Sequence, residues 1–545
     1  MDVATAAGHA LRAQGVEHVF GVVGSGNFHV TNALVAAGAR FVPAAHEGGA
    51  ASMADGYARV SGQLAVLSVH QGPGVTNALT GLTEAAKSRT PMVVLAPEAT
   101  NPRSNFFVDL PGLAAAIGAE FRRLSVDRVT EDVTAACHLA TSGAGRTVIL
   151  ALPLDVQAMT VIRASLKSLE QHEGRPDHEG REHGRLVDAL DAARRPVFIA
   201  GRGARKARDE IAALADRCGA LLAVSAAAKG LFAGHPWYLD VSGGFATPLC
   251  AELVAGADLV VAWGSTLNMW TTRHGRLIPP SAVVAQVDLE PAALGVHRPV
   301  DIGVPGDAAV IARACGAELD RRGPARAGWR GPELRERIAA EGRWRDVSYV
   351  DEGGDGRIDP RTLTIALDDL LPAERTVVVD SGNFMGYPSM FLSVPDAAGF
   401  CFTQAFQSIG LGLASALGAA VARPDRLTVA ALGDGGFLMS VAELTTAVRL
   451  GVPLLVVVYD DAAYGAEVHH FGPHGHPLDT VTFPDADLAA VARGFGCAAV
   501  TVRDPGDLPA VREWLAGPRE RPLVVDAKVA SRRGSWWLEE AFRGH

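Results

Sequence analysis

The sequence predicts an α/β protein built from three doubly wound parallel-sheet domains. Short apolar runs rich in β-branched residues alternate with helical stretches in three successive blocks, an alternation typical of parallel sheets. Polar stretches rich in chain breakers and charged residues separate the blocks at 166–184 and 323–357. The predicted domains are 1–165, 185–322 and 358–530, followed by a tail at 531–545.

The first block contains five apolar runs of strand length. Helices are predicted between them, for example Val3–Gln14 and Thr76–Ser88. The predicted strands are Val19–Val23, Phe41–Ala45, Leu64–Val69, Met92–Ala96 and Val148–Leu152.

The second block repeats this pattern, and the linker after it holds one helix-like patch, Pro332–Arg345. The tail from Ser531 is basic and then aromatic at Trp536 and Trp537, and the sequence leaves open a lid, a packing arm or a disordered end. The strands predicted for the second block are Val197–Ala200, Leu221–Val224, Leu259–Trp263 and Val283–Val287.

The third block carries the strongest chemical signal. Two apolar runs, Leu427–Leu432 and Leu454–Tyr459, flank an amphipathic segment and predict a strand, a helix and a strand. Ser440 and Glu443 have the spacing of a capping box, which predicts a helix start at Ser440. The stretch Gly433-Asp434-Gly435-Gly436 then lies in the preceding turn, where backbone N–H groups are open to a phosphate. A plain tight turn is the alternative.

Two aspartates follow the two apolar runs of this unit. Asp434 and Asp461 are 27 positions apart, and each comes just after the end of its predicted strand. Because the carboxyl ends of parallel strands meet at one edge of a sheet, both carboxylates are expected at that edge. Hard oxygen ligands beside a phosphate predict Mg²⁺ or Ca²⁺.

Bulk composition excludes several classes of protein. The chain has 545 residues, of which 48% are hydrophobic and 20% charged, which is ample for two to four packed domains. A net charge of −10 gives no electrostatic case for binding nucleic acid or an anionic membrane. The six cysteines form no Cys-x-x-Cys pair, and no apolar run reaches the length of a membrane helix. A soluble cytoplasmic protein is therefore expected.

The Gly433-Asp434-Gly435 motif, the gap after it and the later Tyr464-Gly465 resemble the diphosphate and metal signature of thiamine-diphosphate enzymes. The resemblance is to the branch of acetolactate synthase, pyruvate oxidase and benzoylformate decarboxylase, and it implies thiamine diphosphate and Mg²⁺ as cofactors. It places the metal ligands on Asp434, Asp461 and the backbone carbonyl of Ala463. The family usually has Asn where this chain has Asp461, so stronger dependence on the divalent ion is expected.

The stretch from Phe41 to Arg59 resembles the family's activating-glutamate segment. Glu47 would hydrogen-bond the aminopyrimidine ring, so that its imino form removes the proton from the thiazolium carbon and creates the ylid. The alternative is a glutamate that merely favours the first turn of a helix.

A glycine turn after the third predicted strand resembles the family's loop that packs on the cofactor, and here it supplies Gly72, Pro73 and Asn77. His70 ends that strand, where benzoylformate decarboxylase has a catalytic histidine, and Ser25 falls where that enzyme holds the substrate carboxylate. A structural histidine and a mere turn residue are the alternatives.

Three further positions bear on the substrate and cofactor. Ile409 matches the apolar residue that props the family's cofactor in its bent shape, although an ordinary core isoleucine is the alternative. Val108 stands where the synthases have a glutamine, and Asn383–Tyr387 is unlike their substrate wall. Some members of the family hold FAD in the middle domain. FAD therefore stays possible here, but nothing in Leu267–Arg276 supports it.

The resemblance therefore implies a thiamine-diphosphate and Mg²⁺-dependent enzyme acting on a small 2-oxo acid. After loss of CO₂, the resulting enamine is protonated, as in a decarboxylase, or transferred to an acceptor, as in an acetolactate-synthase-like carboligase. A pyruvate-oxidase-type flavin enzyme and a non-catalytic cofactor-binding relative are the alternatives. The family also implies a homodimer or homotetramer with active sites between subunits.

Overall fold

The computed structural model describes residues 1–161 and 180–538 and contains three six-stranded parallel sheets. The predicted fold class is therefore confirmed. Most of the predicted linker at 166–184 lies outside the described residues, as do residues 539–545 of the tail. In the described ranges, no helix is long and apolar enough to cross a membrane.

The N-terminal sheet has the strand order β2-β1-β3-β4-β6-β5. Five of its strands coincide with predicted runs, whereas β5 was missed because Glu-Phe-Arg-Arg is a mostly exposed edge strand without an apolar run. The strands are β1 His18–Gly21, β2 Arg40–Pro43, β3 Ala65–Ser68, β4 Met92–Glu98, β5 Glu120–Arg123 and β6 Thr147–Pro153. The helices are α1 Val3–Ala13, α2 Phe28–Ala36, α3 Glu47–Ser61, α4 Pro73–Lys87, α5 Leu110–Ile117, α6 Val129–Thr141 and α7 Leu154–Gln157.

The middle sheet has the order β12-β11-β10-β7-β8-β9, and its four predicted strands are present with two more, β9 and β12, of four residues each. The strands are β7 Pro196–Ala200, β8 Leu221–Val224, β9 Tyr238–Val241, β10 Leu259–Trp263, β11 Val283–Asp288 and β12 Ile302–Pro305. The helices are α8 Arg181–Ala192, α9 Arg208–Cys218, α10 Pro248–Ala255, α11 Met269–Thr272 and α12 Ala308–Arg322, followed by α13 Pro332–Glu341.

The C-terminal sheet has the order β14-β13-β15-β16-β18-β17, the same arrangement as the N-terminal sheet. The strands are β13 Arg375–Val379, β14 Phe400–Phe402, β15 Leu427–Gly433, β16 Leu454–Asp460, β17 Ala498–Val502 and β18 Leu523–Lys528. The helices are α14 Pro360–Leu370, α15 Gly386–Phe391, α16 Gly412–Ala422, α17 Asp434–Ser440, α18 Glu443–Leu450, α19 Gly465–Phe471, α20 Leu488–Gly494 and α21 Pro509–Ala516.

The N-terminal and C-terminal domains share one hydrophobic core. Helix α3 packs against α16, and buried apolar residues of both domains belong to the same cluster. Glycines let the two helices approach closely, since a Cβ on Gly56 would lie 2.2 Å from the carbonyl oxygen of Ser415 and a Cβ on Gly418 would lie 1.9 Å from that of Met53. The carboxyl edges of the two sheets are therefore held in a fixed relation.

The described part of the tail packs against the C-terminal domain, the linker before it and, through Phe245, whose ring centroid lies 6.3 Å from that of Trp537, the middle domain. The Trp537 ring lies edge-on to Tyr387 with centroids 4.9 Å apart, and its Nε1 donates to the carbonyl of Asn383 at 3.0 Å. Trp536 stacks on Trp344 at 5.9 Å. Up to residue 538, the tail is thus a packing arm.

Candidate active site

Helix α17 begins directly after strand β15, with Gly433 as its N-cap and Asp434 as its first residue. The predicted helix start at Ser440 is wrong. The Ser440 hydroxyl donates to the carbonyl of Gly436 at 3.0 Å and caps nothing, since α18 begins separately at Glu443. Gly435 and Gly436 therefore lie in the first turn of α17, where backbone N–H groups have no partner within the helix.

The predicted capping box does not form because the Glu443 side chain is hydrogen-bonded elsewhere in the fold. Its carboxylate accepts hydrogen bonds from the backbone N–H groups of Ala45 and His46, in the N-terminal domain. A contact across 397 positions of sequence leaves no local signal, so the spacing alone was misleading.

Asp434 and Asp461 lie at the carboxyl ends of β15 and β16, which are neighbouring strands paired from Thr428 to Gly433. Asp434 is buried, and this burial, together with the charge of Asp461, raises the pKa of its carboxyl group to about 7. Burial likewise raises the pKa of Asp461 to about 6. Two acidic groups held this way favour a cation beside them.

Asp461 is hydrogen-bonded by neutral side chains. Ser531 donates to Asp461 Oδ2 at 3.1 Å and Asn383 Nδ2 donates to the same oxygen at 3.4 Å. The backbone N–H of Tyr464 donates to the carbonyl of Val481, whereas the carbonyl of Ala463 accepts no hydrogen bond within the described ranges. An unused carbonyl oxygen is available as a third ligand.

Two glycines of the motif are required by close approach. A Cβ on Gly435 would lie 2.6 Å from the Tyr464 ring, and a Cβ on Gly436 would lie 2.5 Å from Asp380 Oδ2. On the other side of the motif, Gly465 lies against Asp461. The starts of helices α17 and α19 therefore have no space for larger side chains at these three positions.

Asp380 is a site residue that the sequence analysis missed. It follows β13, is fully buried, and accepts hydrogen bonds from the N–H groups of Gly410 at 2.8 Å and Leu411 at 3.3 Å. Burial raises the pKa of its carboxyl group to about 6. These bonds fix the turn that carries the half-buried Ile409. An aspartate directly after a strand, as at Asp434, was the available signal.

In the N-terminal domain, Glu47 is the first residue of α3, as predicted, and His46 is its N-cap. Glu47 is half-buried, and its Oε2 accepts a hydrogen bond from Asn77 Nδ2 at 3.0 Å. Asn77 lies on α4, which begins at Pro73 after Gly72, a residue with φ of 64°. Three predicted cofactor-binding residues therefore lie after the neighbouring strand ends of β2 and β3: Glu47 follows β2, and Gly72 and Asn77 follow β3.

His70 lies beside the loop that contains Ser25. Its Nδ1 accepts the N–H of Gly26 at 3.3 Å, so the neutral ring carries its proton on Nε2. The Phe106 ring lies edge-on to it, with centroids 5.6 Å apart. Ser25 itself is exposed, while Asn27 is buried and accepts the N–H of Gly24 at 2.8 Å, which orders the loop.

The predicted site residues thus form two half-sites. The first, the Glu47 half-site, holds Glu47, Asn77, His70 and Ser25; the second, the Asp434 half-site, holds Asp434, Asp461, Ala463 and Ile409. Within the described ranges, no hydrogen bond or ion pair joins members of one half-site directly to members of the other. Exposed apolar side chains accompany both: Val23, Phe28 and Phe106 near the first, and Phe406, Leu438 and Met439 near the second.

Three family models match this chain in order. They are the N-terminal thiamine pyrophosphate (TPP) binding domain of thiamine pyrophosphate enzymes at residues 1–109, their central domain at 184–315, and their C-terminal TPP binding domain at 380–527. The first match covers Glu47, His70 and Asn77, and the last covers Asp434 and Asp461.

Curated relatives span most of the chain at 30% identity. Sulfoacetaldehyde acetyltransferase of Alcaligenes xylosoxydans xylosoxydans is 30% identical over 84% of this chain and 80% of its own length. Acetolactate synthase isozyme 2 large subunit of Escherichia coli is 30% identical over 84% and 82%. The probable 2-ketoarginine decarboxylase AruI of Pseudomonas aeruginosa is 30% identical over 92% and 89%.

Proposed function

This chain belongs to the thiamine pyrophosphate enzymes, and we propose that it uses thiamine diphosphate and a divalent cation to decarboxylate a small 2-oxo acid. The observation that carries the proposal is the pair of acidic groups, Asp434 and Asp461, at the carboxyl ends of adjacent strands. A divalent cation would offset both carboxylate charges. The relatives' names favour decarboxylase or acetyltransferase chemistry.

Bound thiamine diphosphate would supply a nucleophilic thiazolium carbon that adds to the 2-oxo carbon and a positively charged ring that accepts the electron pair left by CO₂. Glu47 fits the role of proton-exchange partner for the aminopyrimidine, because its carboxylate is fixed at a helix start by Asn77. In the C-terminal domain, Asp434, Asp461 and the carbonyl of Ala463 would hold Mg²⁺, which prefers such oxygen ligands. The N–H groups of Gly435 and Gly436 would face the diphosphate.

His70 favours protonation as the final step. With Nδ1 occupied by the N–H of Gly26, Nε2 is the ring atom that donates a proton. Loss of CO₂ followed by delivery of one proton to the same carbon converts the 2-oxo acid into an aldehyde. Ser25, exposed on the adjacent loop, would hold the substrate carboxylate.

Transfer to an acceptor is the second candidate outcome, because two of the relatives are named as a synthase and an acetyltransferase. Incubating the purified protein with thiamine diphosphate, Mg²⁺ and a panel of 2-oxo acids, with CO₂ and products measured together, separates the outcomes. We expect CO₂ with an aldehyde. A 2-hydroxy ketone or an acyl-transfer product would instead establish transfer, and no CO₂ from any substrate would contradict the proposal.

We also propose that the working enzyme is at least a homodimer, in which the Glu47 half-site of one subunit faces the Asp434 half-site of its partner. The exposed apolar side chains beside each half-site support this arrangement. Mixing inactive Glu47→Gln and Asp434→Asn variants, with subunit exchange, is expected to restore activity through hybrid dimers. No recovery would contradict a shared site.

A further inference from the structure

We propose that Glu443 is a positioning residue that fixes, from the C-terminal domain, the backbone turn that presents Glu47. The inference rests on the role given to Glu47 in the proposed function. It concerns how the chain holds that carboxylate in place, and it assigns a task to a buried glutamate that the chemistry itself does not use.

Three of the four hydrogen bonds that Glu443 accepts come from the turn before α3. The side chain is 2% exposed, and its Oε1 accepts from the N–H of His46 at 3.1 Å. The N–H of Ala45 lies 3.2 Å from Oε1 and 3.1 Å from Oε2. Thr446 on the same helix donates to Oε2 at 2.7 Å. Both oxygens are therefore committed to a segment that ends one residue before Glu47.

No cation contacts this carboxylate directly. Across residues 1–161 and 180–538, Glu443 takes part in no ion pair, and its hydrogen bonds come from peptide N–H groups and one hydroxyl. A guanidinium joins the network through Thr446, since Arg449 Nη2 donates to Thr446 Oγ1 at 3.3 Å and to the carbonyl of Pro43 at 3.1 Å. A buried charge satisfied in this way holds its partners strictly, because any shift leaves it unpaired. The turn at Ala45–His46 is thus tied to α18, which follows the Asp434 helix.

Helix α3 is shaped to admit the carboxylate. A Cβ on Gly49 would lie 2.0 Å from Glu443 Oε1, so alanine at this position would displace the side chain. A glycine in a helix interior is otherwise unfavourable by about 1 kcal/mol relative to alanine. The close approach of Glu443 explains why glycine stands there.

A similar contact recurs in the opposite direction, although its glutamate, Glu84, also pairs with the buried Arg59 at 3.1 Å. Glu84 on α4 of the N-terminal domain accepts the N–H groups of Ala405 at 3.1 Å and Phe406 at 2.7 Å, just after β14. That segment leads to Ile409. In each domain, therefore, a buried glutamate that follows the third strand binds peptide N–H groups that follow the second strand of the other domain. These glutamates are Glu84, after β3, and Glu443, after β15. This reciprocity indicates that both anchors serve the segments they hold.

The test compares Glu443→Ala, Glu443→Gln and Gly49→Ala with Thr445→Ala, an exposed position on the same helix. In the cofactor-free protein, we expect the amides of residues 45 and 46 to exchange hydrogen about tenfold to hundredfold faster in Glu443→Ala. Glu443→Gln keeps one acceptor oxygen and is expected to fall between. Thr445→Ala should match the wild type.

The functional readout is exchange of the thiazolium C2 proton of bound thiamine diphosphate. We expect Glu443→Ala and Gly49→Ala to slow this exchange by about tenfold or more, with cofactor affinity changed by less than about threefold. The double variant should add little to either single change. Gly49→Ala leaves Glu443 intact and so keeps the test valid if Glu443→Ala fails to fold.

Two outcomes would overturn the inference. If the wild type accelerates C2 exchange and all three variants match it, Glu443 does not position Glu47, and the proposed function stands. If the wild type itself does not accelerate the exchange, the proposed function fails and the inference fails with it.

Discussion

The N-terminal and C-terminal sheets have the same strand order but present different chemistry at their carboxyl edges. In the first, Glu47 is half-buried and bound by the neutral side chain of Asn77. In the second, Asp434 and Asp461 are held together with raised pKa values. One topology thus serves two tasks: an accessible carboxylate suits proton exchange, and a buried acidic pair suits a cation. Five substitutions test this division.

The largest effect is expected from Glu47→Gln, which removes the titratable group of the first edge. Turnover should fall by about 10²- to 10⁴-fold, the usual contribution of a general acid or base. Cofactor affinity and the unfolding midpoint should change little, because the amide keeps one oxygen for Asn77. Steady-state kinetics and thermal unfolding measure both, with the exposed Glu120→Gln as control. Retained turnover would remove Glu47 from the mechanism.

Asp434→Asn tests the second edge through pH. Its pKa is raised from 3.8 to about 7 in the folded protein, so its contribution to stability is present below about pH 4 and is lost as pH rises through 7. Without metal, the variant should therefore become more stable than the wild type toward pH 8, by on the order of 4 kcal/mol.

Thermal unfolding between pH 5 and 8, with and without Mg²⁺, checks this expectation. Mg²⁺ should stabilise the wild type at pH 8 and should have little effect on Asp434→Asn. The exposed Asp479→Asn variant serves as control. If the stability of the wild type and of Asp434→Asn depends on pH in the same way, the pKa of Asp434 is not raised in the metal-free protein.

His70→Ala should lower aldehyde formation by about 10²-fold, with cofactor affinity unchanged, because it removes the proton donor on Nε2. Gly24→Ala offers a milder change, since its Cβ would lie 2.6 Å from His70 Nδ1 and would turn the ring. We expect a loss of about tenfold from it. Product analysis after single turnovers measures both, and unaltered aldehyde yield would leave His70 a structural residue.

The smallest effect is expected from Asp461→Asn, which exchanges this chain's residue for the one usual in the family. Removing one negative charge beside the cation should weaken Mg²⁺ binding by about tenfold. Metal titration of cofactor-dependent activity measures it, with Ser531→Ala as a control that removes only one hydrogen bond to Asp461. Equal metal affinity would show that the extra charge has no consequence.

The buried strands could be predicted from the sequence because each is a continuous apolar run between chain breakers. Leu221–Val224 and Leu259–Trp263 have the same bounds in the structure. Strand β5 could not be found this way, since an exposed edge strand needs no apolar residues. The packing of the N-terminal domain on the C-terminal domain could not be predicted either, because the contact of α3 with α16 joins residues some 360 positions apart.

Part of the candidate site could also be predicted from the sequence. Asp434, Asp461 and Glu47 follow strands and carry local motifs, so their placement at sheet edges could be predicted. Asp380 also follows a strand but lacks a motif, and it was overlooked. Glu443 was misinterpreted as a cap, because its true partners at Ala45 and His46 are distant in sequence. Contacts between residues so far apart in sequence leave no local pattern from which they could be predicted.

The shared core of α3 and α16 has a consequence for biosynthesis. Nearly every residue of α3 from Ala50 to Val60 is buried in the finished protein, and α16 supplies much of the cover. A ribosome adding 5–20 residues per second takes roughly 20–70 s to reach α16 after completing α3. During that interval the nascent chain exposes a helix whose packing surface lacks its partner, and we expect chaperones that bind such surfaces to protect it until the third domain emerges.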